Sequence, residues 1–90
     1  MYNNREYKPT HISTNTTTTV FTGKGILQAI TVNTTAAGAI TISDGSVGTV
    51  YAVLKSSVAE GTYWYNLTCA SGLTITTAAS SDITVTWAQG

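Results

Sequence analysis

Short segments in which every second residue is apolar run through most of the chain, separated by turns rich in glycine and small polar residues. The alternation is clearest at Ile40/Ile42, Tyr63/Tyr65/Leu67/Cys69, Leu73/Ile75 and Ile83/Val85/Trp87. Alternation of this kind predicts strands with one buried and one exposed face. Turn signals that recur about every 8 to 12 residues are typical of an all-β sandwich or barrel. We therefore predict an antiparallel, jelly-roll-like β-sandwich of about seven or eight short strands.

Two segments depart from simple alternation. In GILQAITVN, Leu27 has the opposite parity to Ile30 and Val32. This predicts either a β-bulge near Gln28, which we favour, or a strand covered on both faces. In VGTVYAVLKSSV the apolar residues also fit helical spacing, but the β-branched content favours a strand through Leu54.

The first eleven residues differ from the rest of the chain. They hold its single proline, Pro9, and its single histidine, His11, and they show no alternation. We expect residues 1–11 to form an extended N-terminal arm outside the sheets, and residues 12–90 to form one β-sandwich domain. The alternative is that the arm packs along its own sandwich.

Two sets of residues are predicted to contact partners. The arm combines aromatic and basic residues, and tyrosine and arginine are enriched among the residues that dominate interface energies. The predicted arm contacts are Tyr2, Arg5, Tyr7 and Lys8. The parity of its strand turns Trp64 towards the exposed face, and a large aromatic side chain on such a face often marks a contact surface. A Trp64 covered by the arm or by a neighbouring loop is the alternative.

Charge is scarce in this chain. Charged residues make up 9% of it, and four acidic residues balance four basic ones, whereas charged residues form about 25% of an ordinary soluble domain. Nucleic acids and anionic membranes bind clustered lysine and arginine, and no run approaches the roughly 20 apolar residues of a membrane helix. We therefore expect no nucleic-acid and no membrane partner. The start of the chain lacks the apolar core of a signal peptide, so synthesis in the cytoplasm is expected.

The residues that carry chemistry are too few for a catalytic constellation. One histidine and one cysteine cannot supply the four ligands usual in a structural zinc site, and no G-x-S-x-G motif accompanies His11. Asp44 and Asp82 are interpreted as turn residues, and Cys69, in the apolar row of its strand, as a buried hydrophobic residue. We expect no enzymatic activity, no catalytic residue, no metal site and no cofactor.

Four sequence motifs carry a resemblance to a known group of proteins. In order along the chain they are GKGILQAITVN, AITISDG, TVYAVL and SGLTITTAASSDITVTW. The chain resembles small all-β proteins encoded in the structural gene clusters of tailed phages. Those proteins share a G-x-L-x-x-I-x-V-N strand, a D-G hairpin and a terminal G-L-x-V, D-(I/V)-T-V hairpin. The matching residues here are Gly25 to Asn33, Asp44-Gly45 and Gly72 to Val85.

The resemblance implies a virion component made in the host cytoplasm. Its first expectation is a capsid cement or decoration protein that binds the major capsid protein, stabilises the phage head and self-associates as a homotrimer. A tail or fibre component is one alternative. Another is a carbohydrate-binding β-sandwich module, which would use Tyr63, Trp64 or Tyr65 to stack against sugar rings.

Overall fold

The computed structural model describes residues 7–46 and 48–89. These residues form eight antiparallel strands and no helix, which confirms the predicted all-β sandwich. The strands are β1 (Lys8–Ile12), β2 (Thr17–Phe21), β3 (Gly25–Thr34), β4 (Ile40–Ser43), β5 (Val50–Leu54), β6 (Gly61–Cys69), β7 (Leu73–Thr77) and β8 (Asp82–Gln89).

The strands form two four-stranded sheets. Sheet A has the order β1-β8-β3-β6, and sheet B has the order β2-β7-β4-β5. Every connection between consecutive strands crosses from one sheet to the other, except the turn between β4 and β5. The antiparallel pairs β1·β8, β2·β7, β3·β6 and β4·β5 are nested one inside the next along the chain. The first and last strands therefore meet in sheet A, and the two middle strands meet in sheet B.

The core lies between the two sheets and is built from their inward-facing side chains. Each strand contributes alternate residues, as the sequence pattern predicts. The largest fully buried aliphatic side chains are Leu27, Ile30, Val32, Ile40, Ile42, Leu73, Ile75, Ile83 and Val85. Burying one such side chain contributes about 1.5 to 3 kcal/mol, so this layer is the main stabilising element of the domain.

A β-bulge lies at Gln28, as the sequence predicts. The register of β3 shifts between Leu27 and Ala29 against both of its neighbours. The bulge resets the parity of β3, so that Leu27 and Ile30 both reach the core. On β6, Asn66 has a φ of 49°, a left-handed conformation that asparagine tolerates better than most residues. The strand predicted through Leu54 is also confirmed, as β5; Val47 lies outside the described residues.

The expectation that the arm lies outside the sheets is wrong for residues 8–11. They belong to β1, which pairs with β8 from Lys8↔Trp87 to Ile12↔Ile83. Ile12 is the one buried residue of β1. The sequence of β1 therefore has no apolar alternation from which the strand could be predicted. Proline has no backbone N–H to donate to a neighbouring strand. An edge strand such as β1 tolerates Pro9 because it has a neighbouring strand on one side only. Tyr2 and Arg5 lie outside the described residues.

Candidate binding face

Two rows of side chains cross the outer surface of sheet A from edge to edge. The strand register places His11, Thr84, Thr31 and Thr62 in one row, and Pro9, Thr86, Ala29 and Trp64 in the next. We call these eight residues the outer A face. Neighbouring strands lie about 4.8 Å apart, so the two rows form a closely spaced array of mostly small side chains. The Trp64 indole lies at the end of one row.

Trp64 is the prominent feature of the outer A face. Its side chain is 67% exposed, on the strand at the edge of sheet A. Tyr63 and Tyr65 have the opposite parity and pack against the core, where they are half-buried. Burial, followed by the nearby Tyr63, raises the pKa of the Tyr65 hydroxyl. The sequence parity thus predicts the outward direction of Trp64 correctly, and its role as a contact residue stays a prediction.

Ala29 shows how closely the array is packed. It lies in the row between Thr86 and Trp64, and it is only 2% exposed although it has the parity of the outer surface. A methyl group buried on an outer face means that larger neighbours shield it. Parity alone would place Ala29 in solvent, so this shielding could not be predicted from the sequence.

A polar cluster ties three strands together at one end of the outer A face. His11 Nε2 lies 2.7 Å from Asp82 Oδ1. The Asn33 amide donates to the same oxygen at 3.1 Å and to the Thr84 hydroxyl at 3.2 Å. The hydrogen bond from His11, followed by the one from Asn33, holds the pKa of Asp82 below its usual value. The carboxylate is therefore the shared acceptor that joins β1, β8 and β3.

This cluster could not be found from sequence. His11 was expected in the arm and Asp82 in a turn, and neither expectation joins them. They are 71 positions apart along the chain, and their contact depends on the pairing of β1 with β8. A contact between two side chains as exposed as these adds little stability, so its main effect is to fix the orientation of the two side chains.

The opposite end of β1 packs on an aromatic pair. Lys8 Nζ lies 5.7 Å from the centre of the Trp87 ring, within the range of a cation–π interaction. Trp87 Nε1 donates to the Thr10 hydroxyl at 2.8 Å, and the Phe21 and Trp87 ring centres are 5.4 Å apart. Lys8 is therefore engaged with its own sandwich.

The predicted contact residues do not converge on one site. Tyr7 is 43% exposed and precedes β1, at one edge of sheet A. Trp64 lies on β6, at the other edge. Any partner that contacted both residues would have to span the whole width of the sheet.

Asp44 and Cys69 have the structural roles that the sequence predicts. Asp44 Oδ1 accepts hydrogen bonds from the Ser46 N–H at 3.2 Å, the Ser46 hydroxyl at 3.1 Å and the Gly48 N–H at 2.9 Å. Partial desolvation tends to raise the pKa of Asp44, but the combined hydrogen bonds outweigh it and lower the pKa. Cys69 is fully buried, and burial raises the pKa of its thiol.

Within residues 7–46 and 48–89, no three His, Cys, Asp or Glu side chains are grouped so that they could hold a metal ion. The same residues include no helix of the length and apolar character needed to span a membrane. Comparisons of the chain with protein-family models, with curated proteins and with solved structures give no match. The outer A face is therefore a candidate site on its geometry alone.

Proposed function

We propose that the protein is a non-enzymatic structural protein of a tailed-phage virion. It acts as a capsid cement or decoration protein and binds the major capsid protein through the outer A face. The observation that carries this proposal is Trp64, which is 67% exposed beside closely spaced threonine and alanine side chains. Tryptophan is enriched among the residues that dominate interface energies, and such residues are surrounded by contacts that exclude water.

The connectivity of the sandwich supports a role in a viral shell. Four antiparallel pairs nested from β1·β8 to β4·β5 are what results when one long hairpin is rolled into two sheets. We infer that the domain is an eight-stranded jelly roll, an architecture used by viral capsid domains and by lectins. A fold alone does not fix a function, so this argument adds weight only together with the sequence resemblance and Trp64.

The charge distribution fits a protein that is crowded on a particle surface. The formal net charge is zero, so neighbouring copies on a shell would not repel one another strongly. A neutral surface also keeps the protein from binding packaged nucleic acid without specificity. We propose that the chain is made in the host cytoplasm and joins the virion there, and the resemblance implies that it does so as a homotrimer.

The proposal is tested by binding purified protein to phage heads that lack it. Trp64→Ala removes the exposed indole, and Val53→Ala is a matched control because Val53 is 54% exposed on the other sheet. Loss of a dominant interface residue costs about 2 kcal/mol or more, so Trp64→Ala should weaken binding by roughly 30-fold or more. Val53→Ala should bind like the unmodified protein.

Both variants should keep the melting temperature of the unmodified protein, since both positions are exposed. Cosedimentation with the heads over a range of protein concentrations gives the affinities. Equal binding by the Trp64→Ala variant and the unmodified protein would contradict the assignment of the outer A face. Binding to isolated tails instead of heads would favour the tail or fibre alternative.

An exposed indole also suits a carbohydrate-binding module, which stacks aromatic rings on sugars. Tyr63 and Tyr65 have the parity of the inner face, which leaves Trp64 as the one ring of this segment on the outer face. A single ring offers a smaller stacking platform than three, so we rank this function second. Binding to a glycan array that is lost in Trp64→Ala, without any binding to heads, would favour it.

A further inference from the structure

The four edge strands of the sandwich lie on two sides. β1 and β6 are the edges of sheet A, and β2 and β5 are the edges of sheet B. Residues 13–16 connect β1 to β2, and residues 55–60 connect β5 to β6. Since both connections are short, β1 and β2 share one side of the sandwich, and β5 and β6 share the other.

The sheet A edge on the first side is protected against pairing with another strand. β1 carries Lys8, Pro9 and His11 in the sequence KPTHI. Charged residues and proline are the devices by which natural proteins keep edge strands from pairing with other chains. His11 is also held by Asp82 of the neighbouring strand, so a chain added at this edge would meet charged groups of both signs.

On the second side an irregularity interrupts β6 after Trp64, but the first half of β6 and all of β5 lack protection of this kind. Neither β5 nor β6 contains a charged residue or a proline. Val50 and Val53 on β5 are 56% and 54% exposed. An uncharged edge strand with exposed apolar side chains offers its unpaired backbone N–H and C=O groups to another strand.

The first half of β6 keeps one register against β3, and only Gly61 at its start departs from strand geometry, with a φ of 141°. Gly61 to Trp64 pair with Val32 to Ala29 of β3 without a register shift, and the irregularity of β6 begins after Trp64. In the described part of the chain no strand pairs with the other side of β6. Thr62 and Trp64 are both exposed on the outer surface of this stretch.

We propose that a second copy of the chain pairs with this edge, β6 against β6 in antiparallel orientation, so that sheet A continues across two molecules. The occupant is a second copy because residues 61–64 carry no charge, so two copies of the strand do not repel each other. At any antiparallel register of residues 61–64 no like charges lie opposite each other. Side chains of the Thr62 and Trp64 types, β-branched and aromatic, make favourable pairs across strands.

The pairing is closed by a two-fold axis, which is the commonest symmetry of homo-oligomers. It is an alternative to the homotrimer that the resemblance implies, and it goes beyond the proposed binding to phage heads because it needs no phage particle. Trp64 of each copy stays on the outer surface of the shared sheet, since strand pairing uses the backbone. Two copies of the outer A face are then presented in one plane.

The test is the mass of the purified protein in solution, measured by sedimentation equilibrium from micromolar to millimolar concentration. We expect a species of twice the chain mass of 9.4 kDa. Thr62→Glu brings two carboxylates close together across the two-fold axis, and like charges on facing strands oppose pairing, so the dimer dissociation constant should rise by about tenfold or more. Thr19→Glu is the matched control, because Thr19 is an exposed threonine on β2, an edge strand on the other side.

Amide hydrogen exchange supplies a second readout that does not depend on a substitution. Exchange at residues 61–64 should slow as the protein concentration rises, while exchange in β2 should not change. A monomer up to millimolar concentration, a trimer, or equal dissociation of the Thr62→Glu and Thr19→Glu variants would overturn the proposal. Because binding to phage heads is measured separately, failure of the dimer leaves the proposed function standing, and failure of head binding leaves the dimer standing.

Discussion

Removal of strand β1 should destabilise the sandwich, whereas removal of the residues before it should not. Ile12 is 4% exposed and belongs to the core cluster. Loss of a buried isoleucine side chain costs about 2 to 5 kcal/mol, and loss of the hydrogen bond between Trp87 and Thr10 costs about 1 kcal/mol. Deleting residues 1–12 should therefore cost at least about 3 kcal/mol, a large part of the 5 to 15 kcal/mol that stabilises a typical domain.

Thermal unfolding followed by circular dichroism measures this cost. In a domain of this size 1 kcal/mol corresponds to about 4 to 8 °C, so the chain without residues 1–12 should melt at least about 12 °C below the full chain. Deleting residues 1–6 removes none of the described contacts and should change the melting temperature by less than about 3 °C. If the chain without residues 1–12 melts within a few degrees of the full chain, the stabilising role of β1 is wrong.

The same two truncations separate packing from attachment. The arm is predicted to anchor the protein to a partner through residues that include Tyr2 and Arg5. If deleting residues 1–6 weakens binding to phage heads at an unchanged melting temperature, the anchor prediction is supported. Unchanged binding would leave β1 as a structural strand and would contradict an anchoring role for those six residues.

Three further predictions test the packing and the electrostatics. Cys69 is fully buried, so a thiol reagent should label it slowly in native protein and at once in denaturant; fast native labelling would contradict the burial. Gly25→Ala would place a Cβ atom 2.6 Å from the Phe21 ring and 2.9 Å from the Ala88 carbonyl oxygen, and such overpacking should cost about 1 to 3 kcal/mol. The control Gly48→Ala meets no atom closer than 3.5 Å, and equal melting of the two variants would refute the clash. The pKa of Asp82 is lowered from 3.8, so its carboxylate stabilises the fold above pH 3.8 and this contribution is lost as the pH falls through the lowered pKa. The deficit in melting temperature of Asp82→Asn should therefore be present near neutral pH and vanish in strong acid, and a deficit that persists there would contradict the assignment.

The sequence alone was enough for the elements whose faces differ in polarity. Alternation located β4, β6, β7 and β8, and the parity change between Leu27 and Ile30 located the bulge at Gln28. The apolar row that ends in Cys69 and the outward parity of Trp64 were also correct. These features are local, because the side of a strand that is buried is encoded in residues two positions apart.

The features that the sequence did not reveal depend on contacts between distant parts of the chain. β1 is held at an edge by backbone pairing with β8, and only Ile12 of its residues is buried, so nothing in KPTHI separates it from an exposed segment. The bond between His11 and Asp82 follows from that pairing. Parity predicts which face of a strand a residue lies on, but not which strand lies beside it. The residues of the outer A face could therefore not be predicted without the strand order of sheet A.

We propose that this chain is a component of the phage head and binds it through the outer A face. The most direct measurement is electron cryomicroscopy of purified virions, with the chain identified in the same particles by mass spectrometry. We expect density for an eight-stranded sandwich on the outside of the head, with Trp64 and the threonine rows of sheet A turned towards the major capsid protein. Virions that lack the chain, or density in which the outer A face is turned to solvent, would contradict it.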